Sequence, residues 1–426
     1  MPTEQSVTTC RRALEALRNG VPNRDAVSLL GCNQPEAERQ FDEQLTKAAD
    51  GEAPPEDALG MLVSGDFGAG KSHLLTYLEQ LALSRGFVCS RVAVSKETPL
   101  YDLGKVYKSA VENGRLPKRR GRLIEELGQS LNFNSAAYAR LYEWTNRAAE
   151  AGIFNRMFPA SLMVYERLNG DLDLHWDIER FWAGEKIKIS RVKDGLRQIG
   201  QYRNYSFGAP KAAELPSQWL RFATQLIKGA GYKGWVVLLD EIELIGSYSL
   251  LQRGRAYAEL ARWIGKAVGE KNPGLVVVGT VSGDFATAVI STDGKKDRDY
   301  VGPKMASSRY MELAPRAETG MRLLEQACQK ELGRPAEADM HDTLEKLRQI
   351  YSTAYEWDAP PLAAKTAGDS HRNRMRYRVR AAINEWDLRR LYPGAKPEIE
   401  GEEYRLAYTE DRDLERGSED ESTDSL

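Results

Sequence analysis

Short unbroken apolar runs recur along the chain. Met61-Leu62-Val63, residues 87–94, Trp235-Val236-Val237-Leu238-Leu239 and Gly274-Leu275-Val276-Val277-Val278-Gly279-Thr280 each read as a strand. Runs of this length without polar alternation are expected of strands covered on both faces of a parallel sheet. Ser307-Ser308-Arg309-Tyr310-Met311-Glu312-Leu313 alternates instead and predicts one further strand. Residues 6–50 read as largely helical and end in the linker Gly51-Glu52-Ala53-Pro54-Pro55. Beyond Arg316 the spacing predicts helices over 319–332, 340–355 and 373–391. A βαβ unit needs only about 30 residues, so the long gap between the second run and the third predicts an insertion, 116–230. Its apolar residues recur at helical spacing, as in Ala136-Ala137-Tyr138-Ala139-Arg140-Leu141-Tyr142-Glu143-Trp144, with no convincing strand and no repeat period. The expected class is α/β, a parallel-sheet core with a large helical insertion and helices at the C-terminal side.

The first run leads into Gly65-Asp66-Phe67-Gly68-Ala69-Gly70-Lys71-Ser72, and His73-Leu74-Leu75-Thr76-Tyr77-Leu78 opens a helix directly after it. Glycine, four free positions and Gly-Lys-Ser between strand and helix form the P-loop pattern. Gly65, Gly68 and Gly70 let the backbone turn tightly and approach anionic oxygens. The loop N–H groups and the helix N-terminus face phosphates with partial positive charge. Lys71 is placed to reach the β- and γ-phosphates of ATP, and Ser72 to ligate Mg²⁺. Residues Gly65, Asp66, Phe67, Gly68, Ala69, Gly70, Lys71, Ser72 and His73 are the candidate nucleotide contacts.

The third run ends in Asp240-Glu241, at the strand end where α/β sheets bind ligands. Asp240 fits a holder of Mg²⁺ through water, and Glu241 a base that polarises the attacking water. Solvated strand-end acids are the alternative. The fourth run ends in Thr280, Ser282 and Asp284. Thr280, in preference to Ser282, fits a side chain that orients the water beside the γ-phosphate; a plain strand-end turn fits the same residues. Arg309 stands before the alternating stretch, either as a finger toward a neighbouring subunit's nucleotide or as half of a surface ion pair.

Taken in order, the P-loop, the strand ending in Asp240-Glu241, the polar strand end and Ser308-Arg309 make the chain resemble AAA+ ATPases, with an order of elements similar to the origin-recognition clade. More closely it resembles the ATP-binding proteins of the bacterial BREX phage-defence system, the BrxD type. Three stretches carry that likeness: Arg11-Arg12-Ala13-Leu14-Glu15-Ala16-Leu17-Arg18-Asn19-Gly20-Val21-Pro22-Asn23-Arg24-Asp25, the P-loop with Ser72-His73-Leu74-Leu75, and Gly231-Tyr232-Lys233-Gly234 leading into the third run. The resemblance implies an N-terminal helical segment, 1–57, an ATPase core, 58–115 and 231–316, a helical insertion, 116–230, and a helical lid, 317–392. It implies ATP and Mg²⁺ as cofactors, hydrolysis of ATP to ADP and phosphate, and other defence-system proteins as partners. Lys71, Glu241, Thr280 and Arg309 are the residues it places at the chemistry. Double-stranded DNA as a partner and assembly as a homo-oligomer stay open. Val21-Pro22-Asn23-Arg24 stands where related ATPases gather the adenine, and reads equally as a turn into a helix.

In related ATPases an arginine at the start of a late lid helix contacts the γ-phosphate. Arg372, Arg374 and Arg376 all stand in that position, Arg374 at its centre, and spacing singles out none. The same run, His371 to Arg380, reads also as a phosphate-contacting DNA patch or as a solvated helix face. Arg115, Lys118, Arg119, Arg120 and Arg122 form a second basic cluster with the same alternatives.

Composition narrows the field. Across 426 residues, 60 basic and 62 acidic side chains leave a formal net charge of −2, so nucleic-acid binding requires a local patch. Cys10, Cys32, Cys89 and Cys328 form no Cys-x-x-Cys pair, which argues against a zinc site or disulfide framework. The polar N-terminus does not resemble a signal peptide, and no apolar run approaches the ~20 residues of a membrane helix. The cytoplasm is the expected location, with no membrane partner. Residues 393–426 are acidic and polar, an expected disordered tail. No winged-helix domain like that of origin-recognition relatives is expected in this stretch. The expected function is an ATPase switch or motor acting on DNA in a defence complex. The alternative is a nucleotide-gated scaffold for other proteins, and a metabolic P-loop kinase is a distant third.

Overall fold

A computed structural model of the chain describes residues 3–20, 22–50, 59–66, 68–168, 170–267, 272–291, 294–330, 332, 337–362 and 375–394. Val21, the linker 51–55, Phe67, Arg372, Arg374 and the tail from residue 395 lie outside the described residues.

The chain opens with α1 (Glu4–Asn19), α2 (Arg24–Leu30) and α3 (Pro35–Asp50), followed by β1 (Gly60–Gly65), α4 (Lys71–Ser84), β2 (Val88–Ala93), α5 (Leu103–Glu112) and β3 (Gly114–Arg115). Helices α6 (Leu123–Ser130), α7 (Ala136–Glu150), α8 (Met157–Arg167), α9 (Leu172–Trp182), α10 (Ile189–Gln198) and α11 (Leu215–Gly229) come next. Then follow β4 (Trp235–Asp240), α12 (Leu250–Trp263), β5 (Leu275–Ser282), α13 (Asp297–Ala306), α14 (Ala314–Gln329), α15 (Glu337–Tyr355) and α16 (Met375–Leu391).

The strands form one five-stranded sheet in the order β1-β5-β4-β2-β3. All pairings are parallel except that of β3, which meets β2 antiparallel. β5 therefore lies between the strand that feeds the P-loop and the strand that ends in Asp240. Every residue of β4 and β5 is buried, the reason these segments read as continuous apolar runs. Their side chains still alternate, and the alternation divides them between two cores. Met61, Val63, Cys89, Val236, Leu238, Val276 and Val278 join α3 and α4 through Phe41, Leu45, Leu74, Leu75 and Leu78. Val88, Val92, Trp235, Val237, Leu239 and Val277 face the other way.

That second core runs without a break into α6–α11. Tyr107 on α5 links the two regions. Its ring stacks on Trp219 at 6.2 Å and meets Trp235 edge-on, and its hydroxyl donates to the carbonyl of Trp182 at 2.5 Å. Helices α12 and α14 cover the remainder of this face. They approach so closely that a Cβ added to Gly320 would lie 2.0 Å from the carbonyl oxygen of Tyr257.

Residues 307–313 do not form the expected strand. They make a turn and a short 3₁₀ segment, Met311–Leu313, that feeds α14. Pro315 in the first turn of α14 favours a helix start there. Met311 is 63% exposed, so the alternation seen in the sequence does not correspond to a buried face. Beside β1 the sheet edge meets α14, and the N–H of Leu332 donates to the Ser64 carbonyl at 2.7 Å.

A third core joins the two ends of the chain. Leu14, Leu17 and Leu30 from α1 and α2 pack with Leu347, Tyr351, Ile383 and Trp386 from α15 and α16. Arg18 pairs with Asp387 at 2.7 Å, and Arg11 Nε donates to the Ala354 carbonyl at 2.8 Å. Among the described residues, no helix is long and apolar enough to cross a membrane.

Candidate nucleotide site

The loop after β1 turns through Gly68 at φ 82° and Gly70 at φ 99°, left-handed conformations that favour glycine. Gly70 is the N-cap of α4 and supplies no side-chain acceptor to the first-turn N–H groups, and that turn carries no acid. Helices α1, α2, α5, α7 and α9, in contrast, are capped by Thr3, Asn23, Asp102, Ser135 and Asp171. The start of α4 thus presents backbone donors into the loop. Lys71 folds back over the same loop and donates to the carbonyl oxygens of Gly65 at 2.6 Å and Asp66 at 3.4 Å.

Asp240 stands at the end of β4 with its two oxygens differently occupied. Oδ1 accepts from the Thr280 hydroxyl at 2.6 Å and from the Glu241 N–H at 3.1 Å. Oδ2 accepts from Arg91 at 2.6 Å and from the Ser72 hydroxyl at 3.4 Å. Register explains the meeting: Leu238 faces Val278 on β5 and Arg91 on β2, so Asp240 and Thr280, one pleat further on, share a face. Glu241 follows at φ 61°, a left-handed turn that redirects the chain at the strand end. Burial, and then the neighbouring Asp240, push its carboxyl above the usual range, while Arg91 and Lys71 pull it back.

A cavity of about 460 Å³ connects these groups. One wall is Gly68, Ala69, Gly70, Lys71, Ser72 and His73 with Arg91, Asp240, Glu241 and Glu243. The opposite wall comes from the joined chain ends: Leu17, Pro22, Leu30, Gly31, Cys32, Asn33, Gln34, Thr343, Met375, Arg376 and Val379. His73 bridges the walls, with Nε2 at 2.7 Å from the Gly31 carbonyl oxygen. Burial lowers the pKa of this imidazole. Asn33 donates to the Thr343 hydroxyl at 2.9 Å across the same rim.

The structure brings Lys71, Ser72, His73, Asp240 and Glu241 together at this cavity. Thr280 is fully buried and bonds Asp240, so its hydroxyl holds the carboxylate and does not line the cavity. Arg309 is exposed, lies over the Tyr310 ring at 5.1 Å and stands away from the lining residues. Of the basic run at 371–380, Arg376 lines the cavity and donates to the Gly20 carbonyl at 2.6 Å. The cluster opening the insertion is largely paired: Arg115 with Glu79, Arg119 with Glu126 and Arg122 with Glu125.

The family model of the BREX system ATP-binding protein BrxC/D matches residues 7–123 and 215–291. Over these segments the chain belongs to the BrxC/D family. The matched segments contain most of α1, all of α2–α5, β1–β5, α11 and α12, and so the cavity wall that carries the P-loop and Asp240. Helices α7–α10, and α6 beyond its first residue, fall outside the BrxC/D match. No curated protein and no solved structure matches the chain.

Sequence reading missed two charged residues of the cavity, Arg91 and Glu243. Arg91 was visible as the lone charge within the run 87–94. Glu243 is 7% exposed, and its Oε2 has no hydrogen-bond partner among the described residues. Burial raises its pKa, with Lys71 acting in the opposite sense.

Proposed function

We propose that the chain binds ATP with Mg²⁺ between the P-loop and the wall made by α1, α2, α15 and α16, and hydrolyses it. The observation that carries this reading is the single cavity onto which Gly68–His73, Asp240 and Glu241 all open. The AAA+ resemblance adds that an ATPase core is joined to a helical lid. Apolar Leu17, Pro22, Leu30, Met375 and Val379 suit the faces of a purine, and the loop side suits the phosphates. Ser72 Oγ and Asp240 Oδ2 are hard oxygen donors that fit Mg²⁺, which commonly takes one or two protein ligands beside phosphate oxygens. When bound, Mg²⁺ supplies charge neutralisation at the phosphates. Lys71 exchanges the carbonyls of Gly65 and Asp66 for phosphate oxygens. Glu241 accepts the proton of the attacking water at its carboxylate. Thr280 fixes Asp240 from behind. Arg376 extends a cation from α16 toward the nucleotide, the lid role first assigned to Arg372, Arg374 or Arg376. Arg309 serves another copy's site if the chain assembles.

In a BREX phage-defence complex this turnover would drive a switch or motor on double-stranded DNA in the cytoplasm. The second reading, a nucleotide-gated protein scaffold, is favoured by the internal pairing of Arg115, Arg119 and Arg122, which leaves less free charge for phosphates. Two measurements decide. ATP affinity by calorimetry should fall at least tenfold in Lys71→Ala; equal affinity removes the P-loop reading. Fluorescence anisotropy with labelled duplex at low salt, ATP present, separates motor from scaffold, because only the motor requires binding.

A further inference from the structure

We propose that Arg91 is a positioning residue that competes with a divalent cation for Asp240 Oδ2, so that metal binding at the nucleotide site displaces an internal guanidinium. This rests on the reading of the cavity as a Mg²⁺-nucleotide site.

Arg91 lies on β2 opposite Leu238 of β4, on the sheet face shared by Cys89, Val236 and Leu238. A charge among such neighbours has to find an opposite charge or a hydrogen-bonding partner. Both are provided. Nη2 meets Asp240 Oδ2 at 2.6 Å, and Nη1 donates to the Thr76 hydroxyl at 3.1 Å. Thr76 in turn donates to the carbonyl of Ser72 at 2.9 Å, one helical turn back on α4. The guanidinium is thereby fitted between the P-loop helix and the strand-end carboxylate.

The two oxygens of Asp240 are not equivalent. Oδ1 is held from behind by Thr280 and by the Glu241 N–H. Oδ2 is the one that faces Ser72, and so the one available to a cation shared with that hydroxyl. Arg91 claims this same oxygen. Two cations at one carboxylate oxygen repel, and the fixed one lowers the affinity for the mobile one. Arg91 also has somewhere to go. Its side chain is 34% exposed and lines the cavity, and Thr76 offers a second anchor once Asp240 is released.

Removing the guanidinium should move two quantities in opposite directions. Without metal, the cavity loses a cation and holds an anionic nucleotide less tightly. With metal, Asp240 is freed, and half-saturating Mg²⁺ should fall about tenfold, the scale of one partly exposed charge pair. A merely structural lesion weakens binding under both conditions.

The experiment is fluorescence anisotropy of N-methylanthraniloyl-ADP with the full chain, in EDTA and through a Mg²⁺ titration, for the parent, Arg91→Met and Arg91→Lys. Arg91→Met keeps the aliphatic stem and should show the tenfold drop. Arg91→Lys keeps the charge without the two-pronged reach and should fall between. Half-saturating Mg²⁺ that is unchanged or higher in Arg91→Met overturns the inference. If that variant does not fold, Arg91→Lys decides on the same readout: a lowered value supports, an unchanged one overturns. If the parent fails to bind the labelled ADP with or without Mg²⁺, the nucleotide-site reading itself falls, and this inference with it.

Discussion

The ring of His73 touches the carbonyl oxygen of Gly31 at 2.7 Å, joining the first turn of α4 to the end of α2. One side chain therefore ties the loop after β1 to the helices of the opposite wall. His73→Ala should leave Lys71 and the loop backbone intact but loosen the two walls. With a hydrogen bond worth about 1 kcal/mol, ATP affinity is expected to drop about fivefold. His73→Gln, which can donate to the same carbonyl, should restore most of the loss. Calorimetry on both variants checks the pair, and equal losses in the two would separate His73 from wall coupling.

Glu241 adjoins Asp240 at the cavity, on a left-handed residue that turns its side chain off the strand line. Glu241→Gln keeps size and removes the proposed base. It should bind ATP as the parent does and turn it over at least a hundredfold more slowly. Phosphate release under single-turnover conditions is the measurement, and parent-like turnover would exclude Glu241 as the base.

Glu243 is a buried carboxyl whose pKa burial raises. A carboxyl with a raised folded pKa contributes stability below its unfolded pKa and loses that contribution as pH rises through the folded value. Glu243→Gln removes the charged form. The nucleotide-free variant is therefore expected to melt a few degrees above the parent at pH 8, with the gap closing as pH falls toward the carboxylate range. Melting curves at pH 5 and pH 8 test this, and a gap that widens on acidification would refute it.

Gly320 lets α14 lie against the backbone of α12. An alanine methyl would sit 2.0 Å from the Tyr257 carbonyl oxygen, with backbone and not a flexible side chain in the way. Gly320→Ala should destabilise the fold by about 1–3 kcal/mol, the usual range for overpacking a tight contact. Urea unfolding should show a lower midpoint with an unchanged slope. A midpoint equal to the parent's would mean that the two helices separate at little cost.

Much of this arrangement was legible locally. The runs that became β1, β2, β4 and β5 are apolar at nearly every position because both faces of the sheet are covered, and the P-loop and Asp240-Glu241 follow from strand-end chemistry. What failed was non-local. The alternation at 307–313 matched a strand template, but no partner edge receives it, and Tyr310 instead stacks with Arg255 and Arg309. The role of Arg91 within its strand depends on Asp240 of the neighbouring strand, which supplies its counter-charge and is distant in sequence. No local signal announces that Leu14 and Leu17 meet Tyr351 and Trp386, because amphipathic spacing tells that a helix has an apolar face and not which face covers it.

The joining of α1 and α2 to α15 and α16 has a temporal side. A chain made from its N-terminus exposes the apolar faces of Leu14 and Leu17 long before Tyr351 and Trp386 exist to cover them. Sheet, P-loop and α4 have their partners much earlier. The nascent protein should thus pass through a stage with a formed phosphate loop and an unfinished opposite wall. Synthesis stopped after residue 330 should yield α1 open to protease while α4 is protected, and a protected α1 in that fragment would show that it finds cover without the C-terminal helices. On the proposed reading of the cavity, nucleotide capture becomes a late event in the birth of each molecule, gated by the arrival of α16.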